Sequence, residues 1–372
     1  MGSASLPSNG NFTDASLAPW HSNARAGGKK ALHTLRDGGL TIVGDPENKN
    51  NNMITLTQAL PELTQNAHYR LSARVRCHIP KPESKQISVT VRQADAAGKT
   101  IEYTGVHFLP GANEWTEQER VFTPFPQAAS FTFYITTGNL DAEDLVEVSE
   151  VSLRPVEGKV NLFLVGDSTM CEYTALNAPR EGWGMRLQPL CSPDVLVVNC
   201  AVSGRSTKSF QESRSWERVL AQLRPGDYVV IGMGINDNAP KATRPQNHTD
   251  TGGEFEGNLK RWIGEVRSRD ALPVLCTTVL WQPNGRSQPS PSLAKYNRAI
   301  LEVARECGCP AIDLHARAFS QLAAMEKPQY DSLYMSHAKD YCHLTEKGAA
   351  FYAELFANLS KELASPFATL FK

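Results

Sequence analysis

Two hydrophobic periods divide the chain. Through residues 1–155 apolar and polar positions alternate. In HYRLSARVRC the apolar set is Tyr69, Leu71, Ala73, Val75 and Cys77; ISVTVRQ offers Ile87, Val89 and Val91; FTFYIT offers Phe131, Phe133 and Ile135. A period of two is that of antiparallel strands with one face buried. AAGKT and PGANEW read as turn-rich breaks between strands, and no long amphipathic helix interrupts them. The expected architecture is an all-β sandwich of jelly-roll type.

From about residue 160 the pattern changes. VNLFLV, VLVVNCAV, YVVIGMG, LPVLCTTVL and AIDLH are apolar throughout, and helical stretches separate them. In EFEGNLKRWIGEVRSRD, Phe255, Leu259, Trp262, Ile263 and Val266 share one helical face. Strands buried on both faces and alternating with helices predict a parallel sheet with helices on each side. The second domain is therefore expected over residues 156–372, with LRPVEGK at 153–159 as the linker.

In such a sheet ligands bind beyond the carboxyl ends of the strands. The strand ends here carry Gly166-Asp167-Ser168-Thr169, Ser203-Gly204-Arg205, Gly234-Ile235-Asn236-Asp237 and Trp281-Gln282-Pro283-Asn284. Asp340-Tyr341-Cys342-His343 precedes the last helix. Together they supply the parts of acyl transfer. Ser168 is the candidate nucleophile and His343 the base that takes its proton; an unperturbed imidazole titrates at about 6.5. Asp340 would orient the ring. The amides of Ser168 and Gly204 and the side chain of Asn236 are candidate donors to an oxyanion.

Each segment has a plainer reading. Ser168 alone fits a helix N-cap, Gly204 a turn, Asn236-Asp237 an ordinary turn pair. His315 and His337 are rival bases without the D-x-x-H spacing. Arg205 either contacts substrate or braces the oxyanion loop. Trp281 either lines a pocket or packs in the core. Asp237 is expected to order its loop. The conjunction of four segments, in order and each at a strand end, favours chemistry.

Composition removes other classes. Hydrophobic residues make up 41% and charged residues 21%, and the formal net charge is −1. That balance gives no reason to expect nucleic acid or an anionic membrane as partner. No apolar run approaches the roughly 20 residues that span a bilayer. The opening MGSASLPSNGNF looks like an added start on a mature chain. A secreted or periplasmic location with its leader removed is expected, the cytoplasm being the alternative. Of eight cysteines, Cys307 and Cys309 form C-x-C rather than a zinc pair, and one or two disulfides are conceivable. No metal or organic cofactor is called for.

The residues named above resemble the SGNH superfamily of serine hydrolases, also called the GDSL family. Gly166-Asp167-Ser168 matches its first block, Gly204 its second, GxND at 234–237 its third and DxxH at 340–343 its fifth. VVNCAVSGRSTKSF and DYCHLTEKGA are similar to segments of rhamnogalacturonan-acetylesterase-like members. The resemblance covers about residues 160–365. It implies a three-layer α/β/α, flavodoxin-like domain that removes acetyl groups from polysaccharide or oligosaccharide. It also implies roles for Ser168, Gly204, Asn236 and His343. Ile235 departs from the frequent G-H-N-D, which leaves the substrate more open. Longer acyl esters, or a glycan-binding protein without activity, are the alternatives. The first domain is similar to carbohydrate-binding sandwiches at NGNFTDASLAPW and EWTEQERVFT. Trp20 and Trp115 are its candidates for stacking on sugar, with core packing as the other reading.

Overall fold

The computed structural model describes residues 6–14, 17–22, 33–36, 39–44, 53–82, 85–111, 113–174, 177–281 and 291–372. Two compact units result: Met1–Val156 with Thr174–Leu176, and Glu157–Tyr173 with Asn177–Lys372.

The first unit holds strands β1 (His21–Ser22), β2 (His33–Arg36), β3 (Gly39–Val43), β4 (Met53–Leu60), β5 (His68–His78), β6 (Gln86–Ala94), β7 (Thr100–His107), β8 (Thr116–Phe122), β9 (Ser130–Gly138) and β10 (Leu145–Val156). They form two five-stranded antiparallel sheets, ordered β1-β4-β9-β6-β7 and β2-β3-β10-β5-β8. The alternation predicted from sequence is the alternation of burial. Leu71, Val75, Ile87, Val89, Val91, Phe133 and Ile135 join one core between the sheets. Trp20 belongs to that core. Its ring packs on Phe12 and edge-on to Phe133, and its indole N–H donates to the Asn9 carbonyl. It is a packing residue, not a sugar platform. Trp115 is half-buried, with the guanidinium carbons of Arg74 and Arg76 at 5.1 and 5.0 Å from its ring centroid.

The second unit carries β11 (Val160–Gly166), β12 (Arg180–Glu181), β13 (Val195–Asn199), β14 (Tyr228–Gly232), β15 (Leu272–Cys276), β16 (Ala311–Ile312) and β17 (Leu344–Thr345). Its helices are α1 (Thr207–Glu212), α2 (Ser215–Gln222), α3 (Glu254–Arg267), α4 (Pro291–Glu306), α5 (Leu314–Ala323), α6 (Lys327–Leu333) and α7 (Glu346–Lys361). The main sheet is parallel, ordered β13-β11-β14-β15-β16. It is a three-layer α/β/α domain. Leu162, Phe163, Leu164 and Val165 are all fully buried, because the strand is covered on both faces. Leu162 and Leu164 share a core with residues of α5 and α7, such as Leu314 and Phe356. On the other side Trp262 of α3 stacks on Trp216 of α2 at 4.4 Å, and Phe255 meets Tyr296 of α4 edge-on. The apolar face of α3 is the five residues its periodicity predicts.

The eight cysteines are free thiols in this structure. Cys276 is buried in the sheet and Cys200 is half-buried beyond β13. Among the described residues no helix is long and apolar enough to cross a membrane, and no cluster of His, Cys, Asp or Glu is suited to a metal ion.

Candidate active site

Gly166 is the last residue of β11, not the turn after it. A side chain there would meet Met170 Sδ at 2.7 Å and the Gly232 carbonyl at 3.1 Å. The glycine lets the chain fold back over Met170, which is itself buried. Residues 167–171 form turns and no helix, so Ser168 caps nothing. Asp167, fully buried, accepts from the N–H and the hydroxyl of Thr169, each at 2.9 Å. Ser168 is thereby held at the strand end, its side chain 6% exposed.

Its hydroxyl lies 3.0 Å from His343 Nε2. On the far side of the ring, Nδ1 lies 2.7 Å from Asp340 Oδ2. Asp340 Oδ1 accepts from the backbone N–H groups of Cys342 and His343, both at 3.0 Å. The D-x-x-H step is thus a tight turn closed by the aspartate itself. Burial pushes Asp340 up, but the two backbone donors and the imidazole outweigh it and hold its carboxyl below the usual range. The ring nitrogen facing Asp340 is a donor to a carboxylate, which leaves Nε2 as an acceptor toward Ser168. His337 is exposed on the surface of its turn. His315 takes part through its backbone N–H, which donates to Thr277 Oγ1, and its Nε2 is buried without a partner. Neither rival reaches Ser168.

The two other loops are tied to the same strand end. Beyond β13, Cys200 and Val202 donate to the carbonyls of Leu164 and Gly166 at 2.9 and 3.0 Å. Gly204 follows with φ +75°, a conformation costly for other residues. The space beside it is open, so backbone conformation, rather than room for substrate, is what requires glycine there. Among the described residues the Ser168 and Gly204 N–H groups donate to no protein acceptor. Asn236, 8% exposed, donates one amide hydrogen to the Arg205 carbonyl at 3.2 Å. Among the described residues its second amide hydrogen has no partner.

Arg205 therefore braces the loop with its carbonyl. Its guanidinium makes no hydrogen bond among the described residues, and its Nε is buried without a partner. Trp281 is half-buried and lies beyond the end of β15 at Cys276 rather than at the strand end itself; Gln282, Pro283 and Asn284 lie outside the described residues.

The carboxylate of Asp237 is a fastening point. It accepts from the Thr207 hydroxyl at 2.6 Å, the Thr207 N–H at 3.0 Å and the Thr249 hydroxyl at 2.8 Å. Burial pushes this carboxyl up to about 6 despite those donors. Its effect on stability has the sign opposite to that of Asp340. It favours the folded state below the ordinary carboxylate range and loses that contribution as pH rises toward 6. Asn247, buried, donates to the Gly204 carbonyl at 3.0 Å, and Asn199 to the Met170 carbonyl at 2.9 Å. Sequence reasoning missed Thr207, Thr249, Asn247 and Asn199. Asn199 and Thr207 lie inside the segment VVNCAVSGRSTKSF, which carried the signal.

A serine at a strand end of the parallel sheet is thus joined through a histidine to an aspartate in the turn before β17. The chain belongs to the GDSL-like lipase/acylhydrolase family, whose model matches residues 164–351. Residues 4–144 match a carbohydrate binding domain. The chain is similar to the rhamnogalacturonan acetylesterase RhgT of Bacillus subtilis, 32% identical over 56% of this chain and 92% of that one. It is 28% identical to the isoamyl acetate-hydrolyzing esterase 1 homolog of Bos taurus, over 55% of this chain and 83% of that one. The crystal structure of YxiM from Bacillus subtilis shares its fold. It covers 92% of this chain and 88% of its own, with a TM-score of 0.53 at 21% identity. The protein is an esterase.

Proposed function

We propose that the protein removes acetyl groups from O-acetylated polysaccharide or oligosaccharide, with Ser168, His343 and Asp340 as its catalytic residues. One observation carries the mechanism: the unbroken series from Asp340 through His343 to Ser168, with bonds of 2.7 and 3.0 Å. The similarity to RhgT and the carbohydrate binding match support the substrate class.

Ser168 Oγ attacks the acetyl carbonyl as its proton passes to His343 Nε2. The oxyanion is met by the Ser168 and Gly204 N–H groups and the free hydrogen of the Asn236 amide. The imidazolium then protonates the departing sugar oxygen, leaving an acetyl ester on Ser168. Water, deprotonated by His343, attacks that ester; acetate leaves and the serine regains its proton. Asp340 stabilises the imidazolium in both halves. Arg205, whose guanidinium is uncommitted, and Trp281 would contact the sugar. Nitrophenyl acetate should be hydrolysed far better than a long-chain nitrophenyl ester. The reverse preference would make the protein a lipase or thioesterase.

Asn236→Ala should lower kcat by about 10²–10³-fold with little change in KM, because the amide acts on charge that develops in the transition state. A change mainly in KM would make Asn236 a substrate-binding residue instead.

In the first unit the glycan would meet the outer face of the sheet β1-β4-β9-β6-β7. Tyr103, 48% exposed, stands edge-on to Tyr134 at 5.6 Å. Thr57, opposite Tyr134 on the neighbouring strand, shares that face. Aromatic faces beside hydroxyls suit sugar rings. Replacing both tyrosines by alanine should weaken binding of the acetylated polymer by about tenfold and leave nitrophenyl acetate hydrolysis unchanged. Unaltered retention in an affinity gel would place binding elsewhere.

A further inference from the structure

Arg180 was not among the residues that sequence singled out, yet the structure sets it behind the histidine. It lies on β12, a two-residue strand that pairs antiparallel with β17, Arg180 opposite Thr345 and Glu181 opposite Leu344. Thus β12 is fastened to the residues directly after His343. The Glu346 N–H donates to the Pro179 carbonyl at 3.0 Å, extending the same seam. At its other end the Trp183 N–H donates to the Thr169 carbonyl at 2.9 Å, one residue beyond Ser168. Residues 179–183 therefore strap the serine turn to the histidine turn.

From this strap the Arg180 guanidinium reaches within 4.0 Å of Asp340 Oδ2, the oxygen that faces His343 Nδ1. The guanidinium carbon stands 5.9 Å from the Tyr173 ring centroid. Arg180 Nε is buried without a hydrogen-bond partner. Among the described residues no closer ion pair draws the side chain away.

We propose that Arg180 is a positioning residue for the Asp340–His343 pair. Its fixed positive charge lies within 4.0 Å of Asp340 Oδ2 and acts on the imidazole through that carboxylate. The proposal rests on the reading of His343 as the base. Other charged or titratable groups face the histidine too. Asp340 and the Cys342 thiol come from its own turn, and Asp167 from the turn after β11, its carboxyl pushed up by burial. Glu181 of β12 and Glu346 of α7 are both engaged by Arg186, at 2.6 and 2.7 Å. Arg180 is thus the cation that approaches the Asp340 carboxylate, while both neighbouring glutamates already have a partner.

The sign follows from electrostatics. A cation near an imidazole disfavours the imidazolium, so its removal lets His343 take a proton at higher pH. Side-chain exposure of 35% brings solvent screening, which limits the effect.

The test is the pH profile of kcat/KM on nitrophenyl acetate for the wild type, Arg180→Gln and Arg180→Lys. The acid limb of Arg180→Gln should move up by about half a pH unit. Arg180→Lys should restore most of the difference, and high salt should narrow the gap. A purely structural role would lower activity at all pH values and leave the limb in place, and coincident limbs would overturn the proposal. If Arg180→Gln does not fold, Arg180→Met, which keeps the aliphatic stem, gives the same comparison. A His343→Ala variant that keeps activity and the same limb would remove the underlying reading, and the proposal with it.

Discussion

Replacing Ser168 with alanine is expected to abolish ester hydrolysis and leave the protein folded. The hydroxyl lies 3.0 Å from His343 Nε2 and is held at the strand end by the turn over Asp167. Without it the first bond to the acyl carbon cannot form, and the loss should reach about 10⁴-fold or more. The folded state gives up one hydrogen bond, worth about 1 kcal/mol, and a small cavity at a site that the turn already fixes. Initial rates on nitrophenyl acetate and a thermal unfolding curve measure the two halves of the claim. A variant that unfolds near the wild-type temperature yet keeps substantial activity would put the nucleophile elsewhere.

Changes at His343 and Asp340 should have effects of similar size. His343→Ala removes the acceptor of the serine proton, and neither His315 nor His337 is placed to substitute. Asp340→Asn is subtler. An asparagine can still accept from the Cys342 and His343 N–H groups through its oxygen, so the turn survives. Its NH₂ would then face His343 Nδ1 and turn that nitrogen into an acceptor. Nε2 would carry the proton and could no longer take one from Ser168. The expected loss is about 10⁴-fold at neutral pH, measured as kcat in a variant whose unfolding temperature shows an intact fold. A loss of less than tenfold would mean that the aspartate does not set the tautomer. In the wild type Asp340 contributes stability above the ordinary carboxylate range and loses it only as pH falls through its lower folded value. An acid limb at milder pH is therefore not that of Asp340.

The candidate site was legible where its parts are local in sequence. Ser168 lies directly after an apolar strand, and Asp340 and His343 are three residues apart in a turn that the aspartate closes on itself. The flanking strands fix where such residues emerge, so their convergence follows from a parallel sheet. The period of two likewise foretold which side chains of β5, β6 and β9 enter the sandwich core.

Other parts depend on partners far apart in the chain. Asp237 is held by Thr207 and Thr249, and Gly204 by Asn247. Each is an ordinary polar residue until the loops meet. Arg180 reaches Asp340 across 160 positions through a strand of two residues, too short to carry any periodic signal. Trp20 and Trp115 look alike in sequence. Contacts with Phe12, Phe133, Arg74 and Arg76 decide their roles, and none of these follows from local pattern. The crowding by Met170 that requires Gly166 appears only once the turn is built.

The central claim, hydrolysis of acetyl esters on carbohydrate, is tested most directly by one measurement. Acetate release is followed for the wild type and Ser168→Ala on acetylated pectin, xylan, xyloglucan and xanthan. The account predicts that the wild type releases acetate from at least one of these glycans and that Ser168→Ala releases essentially none. Wild-type protein that leaves all four untouched while cleaving long-chain acyl esters, or equal release by Ser168→Ala, would contradict it.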